Sequence, residues 1–136
     1  MKLNGRQYVI IMLAVFTAIL HFVAAFDKAL FPEYPDPLFI LNGMGYLGLL
    51  GAYFLPFSFF QSRQKLVWWA LFGYTILTIV AWAVIWIGFS VIRDGLPFFS
   101  HDSIYGVPAK IAEITLLGLL LADKSPALPA GDRIES

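Results

Sequence analysis

The chain has 136 residues, 60% of them hydrophobic and 13% charged, with nine basic against nine acidic side chains and no cysteine. A soluble domain averages about 45–50% apolar and about 25% charged residues, and a chain this short has too little interior to hide the surplus from water. Zero net charge excludes the basic stripe that a nucleic-acid surface needs, and the lack of cysteine excludes disulfides, thiolate metal sites and thiol redox chemistry.

The first apolar run spans 8–26, after Met1-Lys2-Leu3-Asn4-Gly5-Arg6-Gln7, and His21 is its most polar residue. It exceeds the apolar core of a signal peptide, about 7–15 residues, and is expected to stay as a membrane span. Asp27, Lys28 and the closely spaced Pro32, Pro35 and Pro37 end it in a rigid loop.

The second run spans 38–60 and contains Gly43, Gly45, Gly48 and Gly51, with Pro56 expected to kink it. The polar connection Gln61-Ser62-Arg63-Gln64-Lys65 follows. The third run, 66–92, is uncharged and is long enough to tilt or project from a hydrocarbon layer of about 30 Å. Arg93-Asp94-Gly95 closes it, and the loop that follows holds Phe98, Phe99 and His101. The fourth run, 106–122, carries Lys110 and Glu113, with Pro108 expected in its first turn. Residues 123–136 read as a polar, disordered cytoplasmic tail.

Lipid offers the backbone no hydrogen bonds, so spanning segments are helices or closed barrels. These runs are too long for barrel strands of about 9–11 residues and lack their alternation. The expectation is an all-α fold over residues 1–122, a membrane-spanning four-helix bundle in up-down-up-down order. Lys2, Arg6, Arg63, Lys65, Lys124 and Arg133 would share one side, against Lys28 and Arg93 on the other. The positive-inside rule then puts both termini in the cytoplasm of a multi-pass cell-membrane protein.

In this topology His21 lies about 7 Å below the outer end of its helix, Asn42 and Lys110 about 6 Å, and Glu113 about 10 Å. Tyr46 lies one turn below Asn42, and Trp86 and Ser90 could border the same layer. Polar groups at depth face the bundle interior. Two readings stay open. His21, Asn42, Tyr46, Trp86, Lys110 and Glu113 form a ligand pocket open to the outer face, or they form a structural network in which Lys110 snorkels outward beside Glu113. The glycines recurring every third residue from Gly45 to Gly51 point to close helix packing, or to a groove for a flat ligand such as a quinone or a lipid tail.

No phosphate loop, hydrolase elbow or zinc-type histidine–carboxylate spacing occurs, and a bis-histidine haem would need His101 to fold inward. No cofactor or metal is expected, and the reading leans away from an enzyme. It favours a non-catalytic accessory or self-associating subunit in contact with the lipid bilayer, as a homo-oligomer or within a larger membrane complex. The alternative is a small-molecule, lipid or quinone binder or carrier.

Three stretches carry a resemblance: Leu20-His21-Phe22, the run from Leu38 through Asn42 and Tyr46 to Gly48, and Ala109-Lys110-Ile111-Ala112-Glu113-Ile114. Over most of 8–122 the chain resembles uncharacterised small four-helix membrane proteins of haloarchaea and green non-sulfur bacteria. More distantly it resembles DoxX-like four-helix proteins, which implies a link to quinone-dependent oxidoreductase complexes. No site residue is carried over from the resemblance.

Overall fold

A computed structural model describes residues 4–28, 30, 32–55, 58–85 and 103–123. Most of these residues are helical, with no strand among them. The helices are α1 (Gly5–Phe26), α2 (Pro37–Phe54), the short α3 (Ser58–Gln61), α4 (Gln64–Ile85) and α5 (Ser103–Asp123). Trp86, Ser90, His101 and the expected tail beyond Asp123 lie outside the described residues.

Local chemistry sets the helix ends. A capping box opens α1: the Gln7 N–H donates to Asn4 Oδ1 at 2.9 Å, and the Asn4 N–H donates to Gln7 Oε1 at 3.0 Å. Asp36 caps α2, its Oδ1 accepting from the Leu38 N–H at 2.7 Å, and Pro37 fills the first helical position. The Asp36 N–H also donates to the Ala25 carbonyl at 3.1 Å, which ties the start of α2 to the end of α1.

Two expected boundaries change. The helix expected over 38–60 stops at Phe54, and Leu55 is extended with ψ 142°. Leu55 precedes Pro56, whose ring crowds the helical conformation of the residue before it. The break leaves α3 as a separate turn before α4. At the other end, α5 begins at Ser103 rather than near Gly106, so Pro108 sits inside the helix and has no N–H for the Ile104 carbonyl.

The long helices occupy four corners. α1 packs on α2 and α5, and α4 packs on the same two. Neighbours run antiparallel. Arg6 near the start of α1 donates to the carbonyl of Ala122 near the end of α5 at 2.9 Å, and Trp82 near the end of α4 lies against Gly106 near the start of α5.

Burial is reversed relative to a soluble bundle. Met12, Leu38, Leu41, Leu77, Val84 and Ile111 are each more than half exposed. Continuous apolar exposure on this scale is untenable in water. Gly5–Phe26, Pro37–Phe54, Gln64–Ile85 and Ile104–Ala122 are each long and apolar enough to span a membrane. At 22 residues α1 and α4 extend about 33 Å, and the 18 residues of α2 about 27 Å, close to a hydrocarbon core of about 30 Å.

Ile10, Ala14, Ala18, Leu50, Tyr53, Val67, Trp68, Leu71, Leu116 and Leu120 build the interior toward the end where α1 begins and α5 stops. Of the glycines read as a packing stripe, only Gly45 receives another helix, with the Tyr74 side chain lying against it. Gly48 meets nothing, and Gly51 meets only Leu55 beyond its own helix end. α1 instead approaches α2 closely at Gly43, where a Cβ would stand 3.1 Å from the Ala18 carbonyl oxygen and 3.0 Å from the Phe22 ring.

Candidate functional site

Each long helix sends a polar pair at helical spacing to one level of the bundle. Residues three or four apart share a helix face, and the pairs are Thr17 and His21 on α1, Asn42 and Tyr46 on α2, Thr75 and Thr78 on α4, and Lys110 and Glu113 on α5. His21, Tyr46, Thr75, Thr78, Lys110 and Glu113 are all buried, Tyr46 and Glu113 completely. Lys110 therefore does not snorkel to the surface; it is 7% exposed and points inward.

The donors and acceptors can be followed atom by atom. His21 Nδ1 lies 2.8 Å from the Thr17 carbonyl. A carbonyl only accepts, so Nδ1 carries the hydrogen. Nε2 then offers a lone pair and accepts from Asn42 Nδ2 at 2.7 Å. Asn42 Oδ1 accepts in turn from the Tyr74 hydroxyl at 3.0 Å. A directed chain thus runs from α4 through α2 to α1, and it holds His21 neutral with one defined tautomer.

A second set meets it from α5. Lys110 Nζ donates to Glu113 Oε2 at 2.5 Å and to the Thr78 carbonyl at 3.5 Å. The Thr78 hydroxyl donates to the Thr75 carbonyl at 2.9 Å, so its oxygen accepts from the Tyr46 hydroxyl at 2.8 Å. That commits the single hydrogen of Tyr46 although Tyr46 stands beside the Glu113 carboxylate. Glu113 Oε1 is left buried with no hydrogen-bond partner, 3.8 Å from His21 Nε2. Both of those atoms are acceptors in this arrangement, so nothing bridges them.

The aromatic rings of Phe39 and Tyr46, with centroids 5.7 Å and 6.2 Å from that of His21, wall the histidine on the α2 side. Tyr74 meets Tyr46 edge-on at 5.2 Å. Among the described residues no three histidine, aspartate or glutamate side chains stand together as a metal ion would require.

A scan against family models matches residues 3–120 to a family of unknown function, DUF7475. The chain belongs to this family. No curated protein and no solved structure matches it. The match takes in three long helices of the DUF7475 chain, all but the last three residues of α5, and every polar residue of the layer.

Of the residues singled out from the sequence, His21, Asn42, Tyr46, Lys110 and Glu113 come together, and Trp86 lies outside the described residues. Among the described residues α4 contributes Tyr74, Thr75 and Thr78, which the sequence reading does not single out. The spacing of those three was the available signal, hidden because threonine and tyrosine are weakly polar marks in an uncharged run.

Proposed function

We propose that this DUF7475 chain is a membrane-embedded binding protein whose site is the layer formed by His21, Asn42, Tyr46, Lys110 and Glu113. The observation that carries the reading is the orphan oxygen of Glu113. An ionisable group inside a membrane protein is costly and marks function by default, and a buried acceptor without a donor costs free energy that a ligand can recover. Glu113 Oε1 faces His21 Nε2, whose lone pair Asn42 already occupies, so Oε1 is the acceptor left open. It calls for a small molecule that presents a hydrogen-bond donor, such as a hydroxyl group. The hydroxyl of a quinol has this chemistry, as does that of a lipid alcohol. Lys110 already balances the charge of Glu113, so the ligand head is neutral rather than cationic.

We take the site to be reached from one side. Ile10, Ala14, Leu50, Leu71, Leu116 and Leu120 fill the opposite half of the bundle with apolar side chains, which favours binding from one face over passage through a single chain. With the basic residues Arg6, Arg63 and Lys65 at the closed end, both termini lie in the cytoplasm of a cell-membrane protein and the site faces outward.

Native mass spectrometry of protein purified from its own membrane in mild detergent tests this reading. The wild type should retain one organic molecule per chain, and Glu113→Gln and His21→Leu should each lose it. A wild type that flies bare in every mild detergent refutes the reading.

Gly48 favours a second role beside the first. It is exposed, and a Cβ there would meet nothing, so it offers a bare helix face to another copy of the chain. Cross-linking in the membrane should capture a homodimer that Gly48→Leu abolishes.

A further inference from the structure

The closed end of the bundle holds a second feature that the polar layer does not use. Where α2 stops short at Phe54 and α3 turns the chain into α4, an open groove of about 330 Å³ lies on the outer surface, within the size range of small-molecule sites. Its walls are Leu49 and Ala52 from α2, Phe59 and Phe60 from α3, and Leu66, Val67 and Ala70 from α4, with Arg63 as the one charged lining residue.

The turn that carries Arg63 is well fixed. The Arg63 N–H donates to the Phe60 carbonyl at 3.0 Å, and the Arg63 carbonyl accepts from the N–H groups of Leu66 and Val67 at 2.8 Å and 3.1 Å. The guanidinium lies over the Phe59 ring, 4.3 Å from its centroid, which holds the cation at the mouth of the groove. Lys65, two residues further along the chain, is exposed. Between Asp36 and Arg93 these two are the only charged residues, so no acid neutralises them along the chain.

We propose that this groove is a binding site for one acidic phospholipid, with an acyl chain between α2 and α4 and the phosphate on Arg63 and Lys65. The apolar walls suit a hydrocarbon chain and exclude a soluble anion as the whole ligand. Arg63 at the mouth, with Lys65 two residues further along the chain, selects an anionic headgroup over a zwitterionic one. Arginine is also the side chain best shaped to grip a phosphate through paired donors. The site owes its shape to the stop of α2 at Phe54: a continuous helix over 38–60 would carry Phe59 and Phe60 past the groove instead of across its end.

The test is native mass spectrometry of the full chain, released from mixed micelles that hold equal amounts of phosphatidylglycerol and phosphatidylcholine with identical acyl chains. The wild type should retain one phosphatidylglycerol in clear preference to phosphatidylcholine. Removing each cation should weaken that preference roughly fivefold, so the R63Q/K65Q chain should lose it almost entirely. Ala70→Phe, which fills the groove from an exposed position on α4, should lower retention of both lipids. Circular dichroism of each variant, matching the wild-type helix content, shows that the bundle is intact. Equal retention of the two lipids by the wild type overturns the proposal, as does a preference unchanged in R63Q/K65Q. Retention unaffected by Ala70→Phe overturns the groove as the seat of the chain. None of these outcomes bears on Glu113, whose ligand should survive R63Q/K65Q.

Discussion

His21 Nε2 stands 3.8 Å from Glu113 Oε1, yet its hydrogen-bond partner is Asn42, at 2.7 Å. The histidine thus lies between two helices and is bonded to only one of them. Glu113 is held by Lys110 on its other oxygen, so the two halves of the layer meet at a pair of acceptors with no hydrogen between them.

The tautomer follows from this arrangement. Solid-state nitrogen NMR of ¹⁵N-histidine-labelled protein in lipid should show His21 neutral at pH 7 with the hydrogen on Nδ1. In Asn42→Asp the residue facing Nε2 can only accept, so the signal should change to that of imidazolium. A wild-type spectrum with the hydrogen on Nε2 would contradict the directed chain from Tyr74.

Lys110 and Glu113 should be strongly coupled in stability. Glu113→Leu and Lys110→Met each leave a buried charge without its partner and should destabilise the bundle by about 3–5 kcal/mol. The double variant should recover most of that loss or exceed the wild type, because well-packed apolar side chains replace a desolvated pair. Unfolding titrations in mixed micelles provide the double-mutant cycle, and additive losses would mean that the pair does not act as a unit.

Gly45 and Gly48 sit on the same helix and should respond in opposite directions. A Cβ at position 45 falls on the Tyr74 hydroxyl, so Gly45→Ala should push Tyr74 off Asn42 at a cost of about 1–3 kcal/mol. Tyr74→Phe, which removes the colliding oxygen, should relieve part of it. Gly48→Ala meets open space and should be neutral or stabilising by up to about 1 kcal/mol. Equal effects at the two positions, read by thermal unfolding in one detergent, would show that Tyr74 does not pack on Gly45.

The Tyr46 to Thr78 bond is one of two direct side-chain links between α2 and α4, the other being Tyr74 to Asn42. Tyr46→Phe should cost about 0.6 kcal/mol, and at most about 1.7 kcal/mol, the measured span for hydrogen bonds between membrane helices. A larger loss in the same unfolding titration would mean that Tyr46 also satisfies Glu113.

Much of the architecture was legible in particular residues. Asn4 with Gln7, and Asp36 with Pro37, mark helix starts through chemistry local to the chain. Pro56 marked a disturbance, though its strength was misjudged: the residue before a proline leaves the helical region altogether, so α2 ends where a kink was expected. Of the two readings open for Lys110, the outward snorkel fails: the side chain turns inward because Glu113 and the Thr78 carbonyl offer it acceptors at depth. The glycine stripe was recognised, but two of its members, Gly48 and Gly51, receive no neighbouring helix.

Composition and run length by themselves determined a four-helix, membrane-compatible chain with polar groups on three helices at similar depth, because lipid permits little else for long uncharged segments. Which way those groups point was decided only by the tertiary structure. In a soluble helix the polar stripe marks the outside, but here both the lipid face and the core face are apolar, and the periodicity that would fix each helix's rotation about its axis is nearly silent. That rotation was set by contacts between helices, at Gly43 against Ala18 and at Tyr74 over Gly45. Those contacts bring His21 within 3.8 Å of Glu113 and add the hydroxyls of α4 to the layer.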